Sequence, residues 1–175
     1  MATTVKAVVE AFELLYKSLH SRDYRKSLNL HGCGERELLL VVRSFLLGYF
    51  GEITPELMCQ LPGSPTGTGR IDFCVGGVAV EFAVRKPMGS KSKLSAVTNS
   101  TELKKLLKYD GKALLVLFDF SKDHFEEEQL ERFRDWPSLG QGNHKYSAFN
   151  VAYFYVKSVN PTKTLGCIRK VIRVR

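Results

Sequence analysis

Two adjacent glycines, Gly76 and Gly77, constrain this chain most, because each flank alternates in the manner of a β-strand. Residues 70–75 read RIDFCV and residues 78–85 read VAVEFAVR. A two-residue link between such runs predicts a tight hairpin, since glycine takes the positive φ of a type I′ turn without steric cost. If Val75 pairs with Val78, the ladder continues to Cys74–Ala79, Asp72–Glu81 and Arg70–Ala83. Alternation then gathers Arg70, Asp72, Cys74, Ala79, Glu81, Ala83 and Arg85 on one face. Ile71, Phe73, Val80, Phe82 and Val84 fill the other.

In that register two carboxylates oppose each other in a non-hydrogen-bonded pair, with Cα atoms about 4.5 Å apart. Like charges so placed destabilise a hairpin by about 0.2–1 kcal/mol when solvated, and by more when buried. The pair therefore needs neutralising. Either a divalent cation sits between the oxygens, or Arg70 and Arg85 close a salt-bridge cluster. A hard cation such as Mg²⁺ takes one or two carboxylates together with water and phosphate oxygens. Bound there, it polarises a phosphate and acidifies a water. Ala79 and Ala83 flank Glu81 and leave room above the sheet for a ligand or a helix.

The rest of the chain supplies the surrounding layers. Val5, Val8, Val9, Phe12, Leu15 and Leu19 recur at helical spacing and predict a helix over residues 3–20. Residues 21–34 are polar and irregular. Residues 35–50 (ERELLLVVRSFLLGYF) are apolar nearly all round, the pattern of a buried helix with acids at its start. A strand is expected within 52–61, with Pro55 at its beginning or edge, and a loop over 63–69. After the hairpin come a loop over 87–93 and a weaker helical pattern over 95–109. A central strand follows at 113–120, then an acidic helix at 123–134 and two closing strands at 149–156 and 166–174. This order predicts one α/β domain over residues 1–175, a central mixed sheet flanked by helices.

Taken together, the ERELL run from Glu35, then GRID, the hairpin and VEFAV resemble the PD-(D/E)XK nucleases. The resemblance covers roughly residues 30–120 and implies a restriction-endonuclease-like fold. It implies a nuclease, more readily on DNA than RNA, using Mg²⁺ or Mn²⁺. By the same resemblance Glu35 corresponds to the helix glutamate of the metal site, with Glu37 as fallback. Asp72 corresponds to the aspartate, and Glu81 to the acid of the E-x-K pair. The ERELL start is especially similar to archaeal-type Holliday-junction resolvases, and the family's habit of working in pairs implies a homodimer. The chain departs from the motif at one position: Ala83 stands where E-x-K has lysine. Two replacements are open. Lys105, in a KLLKY run that resembles the family's QLxxY motif, can reach the vacancy above Ala83. Arg70, across the hairpin, can supply charge but is a poor proton acceptor. The remaining alternative is that catalysis is lost and the fold serves as a nucleic-acid-binding or protein-interaction module.

Charge bears on the partner. The chain carries a formal +8, yet residues 122–135 hold six acids against Lys122, Arg132 and Arg134, so that segment is negative and the remainder more basic still. No acid occurs after Asp135. A basic surface opposite an acidic helix suits nucleic acid, with Arg85, Lys86, Arg169, Lys170 and Arg173 as the candidate contacts. The basic last strand equally suits an edge that resists aggregation. No apolar run approaches the ~18 residues of a membrane span, and the first residues enter an amphipathic pattern with no leader. An intracellular, cytoplasmic location without membrane contact is therefore expected.

Other signals are weaker. Cys33, Cys59, Cys74 and Cys167 lie far apart, as reduced, mostly buried thiols do. The glycine-rich loop at 63–69 precedes a strand and lacks Gly-Lys-Ser/Thr, which argues against a P-loop. His20, His31 and Cys33 lack a further spaced ligand for metal. His144 reads as a loop histidine, and the Asn99 sequon is moot without secretion. The aromatics from Phe149 to Tyr155 suit packing better than base stacking.

Overall fold

Thr4 accepts a hydrogen bond from the Ala7 amide at 3.2 Å and caps helix α1 (Val5–Leu19). Val8, Val9, Phe12, Leu15, Tyr16 and Leu19 form its buried stripe. In this computed structural model residues 3–27, 33–61, 66–86, 100–131, 148–159 and 162–173 are described. A short helix α2 (Arg22–Ser27) occupies part of the stretch expected to be irregular. It has no apolar stripe by which periodicity reveals a helix.

Helix α3 (Glu35–Phe50) starts and ends where its sequence pattern does, stopping at Gly51 in the left-handed region (φ 77°). It is not buried on all sides as its composition suggested. Leu38, Val42 and Leu46 enter the core, whereas Leu40, Leu47 and Tyr49 are exposed. The helix meets α1 and the sheet along one side, and among the described residues nothing covers the other.

The sheet is six-stranded and mixed, with strands in chain order across it. They are β1 (Thr54–Gln60), β2 (Thr68–Val75), β3 (Val78–Arg85), β4 (Lys112–Asp119), β5 (Phe149–Val159) and β6 (Thr162–Ile172). β1, β2 and β3 are antiparallel; β3, β4 and β5 are parallel; β6 returns antiparallel to β5. Helix α4 (Ser100–Lys108) links β3 to β4 and α5 (Glu127–Glu131) links β4 to β5. Both crossovers step the same way, and the right-handedness of such units puts both helices over one face. α1 and α3 cover the other.

Alternation along β4 divides the core accordingly. Leu114, Val116 and Phe118 meet α1 and α3, packing around Phe12, Phe82 and Phe154. Ala113, Leu115 and Leu117 meet Leu103, Leu106 and Leu107 of α4 and Leu130 of α5. Burial of each large apolar side chain contributes about 1.5–3 kcal/mol, so β4, apolar on both faces, anchors the domain. The acidic helix expected over 123–134 starts later than its pattern suggested: α5 begins at Glu127, and residues 132–134 lie outside the described residues. No described helix is long and apolar enough to cross a membrane.

Candidate active site

The hairpin forms in the register its glycines predict. Val75 pairs with Val78, Cys74 with Ala79 and Phe73 with Val80. Gly76 and Gly77 both take positive φ, 52° and 82°, as a type I′ turn requires. The ladder stops there, so the expected Asp72–Glu81 pair does not form, because Asp72 turns its carboxylate to the β3 backbone instead. The amide of Phe82 donates to Oδ2 of Asp72 at 2.9 Å, so the carboxylate is held by β3. The carbonyl of Asp72 in turn accepts from Nη2 of Arg43 on α3, at 2.8 Å.

Glu81 lies on the α4 face of β3 and is only 1% exposed. The room left by Ala83 is filled by α4, whose Leu103, Leu106 and Leu107 pack in the same cluster as that alanine. From this helix Lys105 directs its ammonium to Oε1 of Glu81, Nζ to Oε1 2.9 Å. Burial raises the Glu81 carboxyl to about 8, with Asp72 and Glu102 pushing it further up and Lys105 holding it down. The lysine thus opposes the dominant cost, which is desolvation.

Glu35 occupies the first turn of α3, and Glu37 closes the helix start by accepting the amide of Gly34. That contact engages the fallback residue Glu37 as a helix cap. Although Glu35 reaches solvent, its surroundings push its carboxyl up to about 7, chiefly by desolvation, then by Asp72 and Glu102, with Lys105 opposing. The structure therefore brings Glu35, Asp72, Glu81 and Lys105 into one electrostatic neighbourhood. It adds Glu102 from α4, which the sequence reading missed; its placement three residues before Lys105, on the same helix face, was the available signal.

Arg70 does not join them, which corrects the expectation that it stands opposite Ala83. Its Nη1 pairs with Oε2 of Glu56 across β1 and β2 at 2.7 Å, both side chains exposed. The reason is that β2 and β3 pair only as far as Phe73–Val80, while β2 continues along β1, where Met58 faces Arg70.

The candidate nucleic-acid contacts divide in two. Arg85 turns inward: it binds Asp119 (3.1 Å) and the carbonyl of Asp123 (2.6 Å), and its guanidinium lies 4.4 Å from the Phe125 ring centre. Asp119 is itself buried and also accepts from the Tyr153 hydroxyl and the Ser121 amide. Arg169 pairs with Glu13 at 2.8 Å, and Lys170 with Glu127 at 2.8 Å and with Glu131. Lys86 and Arg173 remain exposed, with Lys86 beside the start of α3 at Gly34. The four cysteines form no disulfide and are half-buried. His20 packs against Tyr16 and Phe120, and Tyr153 is buried while Tyr155 stacks on His124. His31, Asn99 and His144 lie outside the described residues.

Among the described residues no three of His, Cys, Asp and Glu converge as a ready-made metal cage. The donors nonetheless suit a hard divalent ion, because Mg²⁺ needs only one or two carboxylates beside water and phosphate. Oδ2 of Asp72 and Oε1 of Glu81 are engaged by the Phe82 amide and by Lys105. Each carboxylate keeps a second oxygen for an ion. No protein-family model matches the chain, and no curated protein or solved structure matches it either.

Proposed function

We propose that this chain is a Mg²⁺- or Mn²⁺-dependent nuclease acting on DNA, built on a restriction-endonuclease-like version of its α/β fold. The observation that carries the reading is the 2.9 Å contact between Lys105 and Glu81. It supplies from α4 an ammonium beside the motif acid, where the strand itself offers only Ala83. Asp72 and Glu81 are the residues that would hold the ion, and Glu35 from α3, whose carboxyl feels the charge of Asp72, would reach it through water. The ion, when bound, polarises the phosphate and acidifies a water. Asp72 is fixed for this role from two sides, by the Phe82 amide and by Arg43. Lys105 places positive charge where negative charge grows on a phosphate under attack. The packing of Leu103, Leu106 and Leu107 keeps its helix seated while the lysine acts.

The test is cleavage of duplex, branched and single-stranded DNA by purified protein with Mg²⁺ or Mn²⁺. Cutting that disappears in Asp72→Ala and in Lys105→Ala supports the reading. Absence of cutting on all three substrates overturns it.

A second reading, a binding or interaction module without catalysis, is favoured by the same pair seen differently. Lys105 and Glu81 neutralise each other with no ion, and Arg85, Arg169 and Lys170 are spent on internal carboxylates. It predicts salt-sensitive nucleic-acid binding that is indifferent to chelator and to Asp72→Ala.

A further inference from the structure

The helix that carries Lys105 also carries a carboxylate one turn earlier. Glu102 lies three residues before the lysine on α4, the spacing at which side chains meet on a helix surface. Oε2 of Glu102 is buried and makes no hydrogen bond. A buried carboxylate oxygen left unmatched is costly and uncommon. The charge of Glu102 acts on both Glu81 and Glu35, so it stands in the same field as the lysine.

We propose that Glu102 is a positioning residue, which takes over the ammonium of Lys105 when a divalent cation occupies Glu81. The inference rests on the metal-site reading above. In the ion-free protein Lys105 neutralises Glu81 directly. A cation arriving at that carboxylate repels the ammonium, which must move. Glu35 is not its destination, being assigned to the same ion. Without a nearby acceptor the four-carbon side chain would swing into solvent and the site would lose its positive group. Oε2 of Glu102 keeps it in place, one helical turn away, and gains the hydrogen bond it lacks. The exchange also lowers the energetic cost of ion entry, because the lysine trades one carboxylate for another instead of for water.

The test is a four-member cycle read by Mn²⁺ binding in isothermal titration calorimetry: the full chain, Glu102→Gln, Lys105→Gln and the double variant. With Lys105 present, Glu102→Gln is expected to weaken Mn²⁺ binding about three- to tenfold, the range of coupled neighbours. In the Lys105→Gln background the same change is expected to alter affinity less than about twofold. Equal losses in both backgrounds overturn the proposal and make Glu102 a direct partner of the ion. No loss in either overturns it as well. Failure of the unsubstituted chain to bind Mn²⁺ is a distinct result, and removes the metal-site reading together with this one. Glu102→Gln preserves shape; should Lys105→Gln fail to fold, Lys105→Met closes the same cycle.

Discussion

Lys105 and Glu81 join α4 to β3 through one ammonium–carboxylate contact of 2.9 Å, with the acid almost wholly buried. Removing one partner of such a pair leaves an uncompensated charge, whereas replacing both with apolar groups is often neutral. Lys105→Met is therefore expected to destabilise the domain by about 3 kcal/mol at alkaline pH, less where Glu81 takes up a proton. The double variant Lys105→Met, Glu81→Met is expected to recover most of that loss. Urea unfolding at pH 8.5 measures both, and equal stability of the single and double variants would refute the pairing.

Glu81 is raised to about 8 and Glu35 to about 7, against an ordinary carboxyl near 4.5. Between those values the folded chain binds protons that the unfolded chain has released. Stability must then fall as pH climbs from about 4.5 to about 8 and level off above. An ion held by the same carboxylates displaces those protons and opposes the fall. Thermal unfolding of ion-free protein is expected to show the decline, and Glu81→Gln to flatten much of it. Added Mn²⁺ should raise Tm more at pH 8 than at pH 5.5. An ion effect independent of pH would count against carboxylate ligation.

The parts of this arrangement legible in the sequence are those governed by local backbone rules. Gly76–Gly77 set the turn and the register, and period-two alternation put Glu81 on the α4 face. The start of α3 at Glu35 was visible in its acids. Arg70 was misplaced because a register taken from the turn was carried past Phe73, to where Asp72 accepts the Phe82 amide. Its actual partner Glu56 comes from β1, and no two-residue turn signal links β1 to β2 as Gly76–Gly77 links β2 to β3. Burial was least legible. An apolar circumference on α3 reveals nothing of which side the sheet takes, and charge on Arg85 or Lys170 nothing of whether an internal acid has claimed it.

Gly77 has φ of 82° and open space where a Cβ would stand, so substitution there tests backbone conformation alone. Gly77→Ala is expected to cost about 1–2 kcal/mol, and Gly77→Asn clearly less, because asparagine tolerates the left-handed region. Chemical denaturation reads the difference. Identical costs for the two variants would argue against a type I′ turn. Since the change touches no side-chain packing, Asp72 and Glu81 keep their places, and any Mn²⁺ affinity should follow the folded fraction.

The basic residues fall into two groups, those bound to internal acids and those left exposed. Arg85 serves Asp119, the Asp123 carbonyl and the Phe125 ring at once. Lysine lacks the planar fork for these contacts, so Arg85→Lys is expected to lower Tm markedly. Lys86 and Arg173 are exposed, and their loss should leave Tm nearly unchanged. If they contact phosphate, each change to alanine lowers the slope of log Kd against log salt by about one. Fluorescence anisotropy with a labelled duplex, read over a salt series, measures that slope. A slope moved by Arg85→Lys at full folded fraction, and not by Lys86→Ala or Arg173→Ala, would place the nucleic acid at the Asp119 end of the sheet.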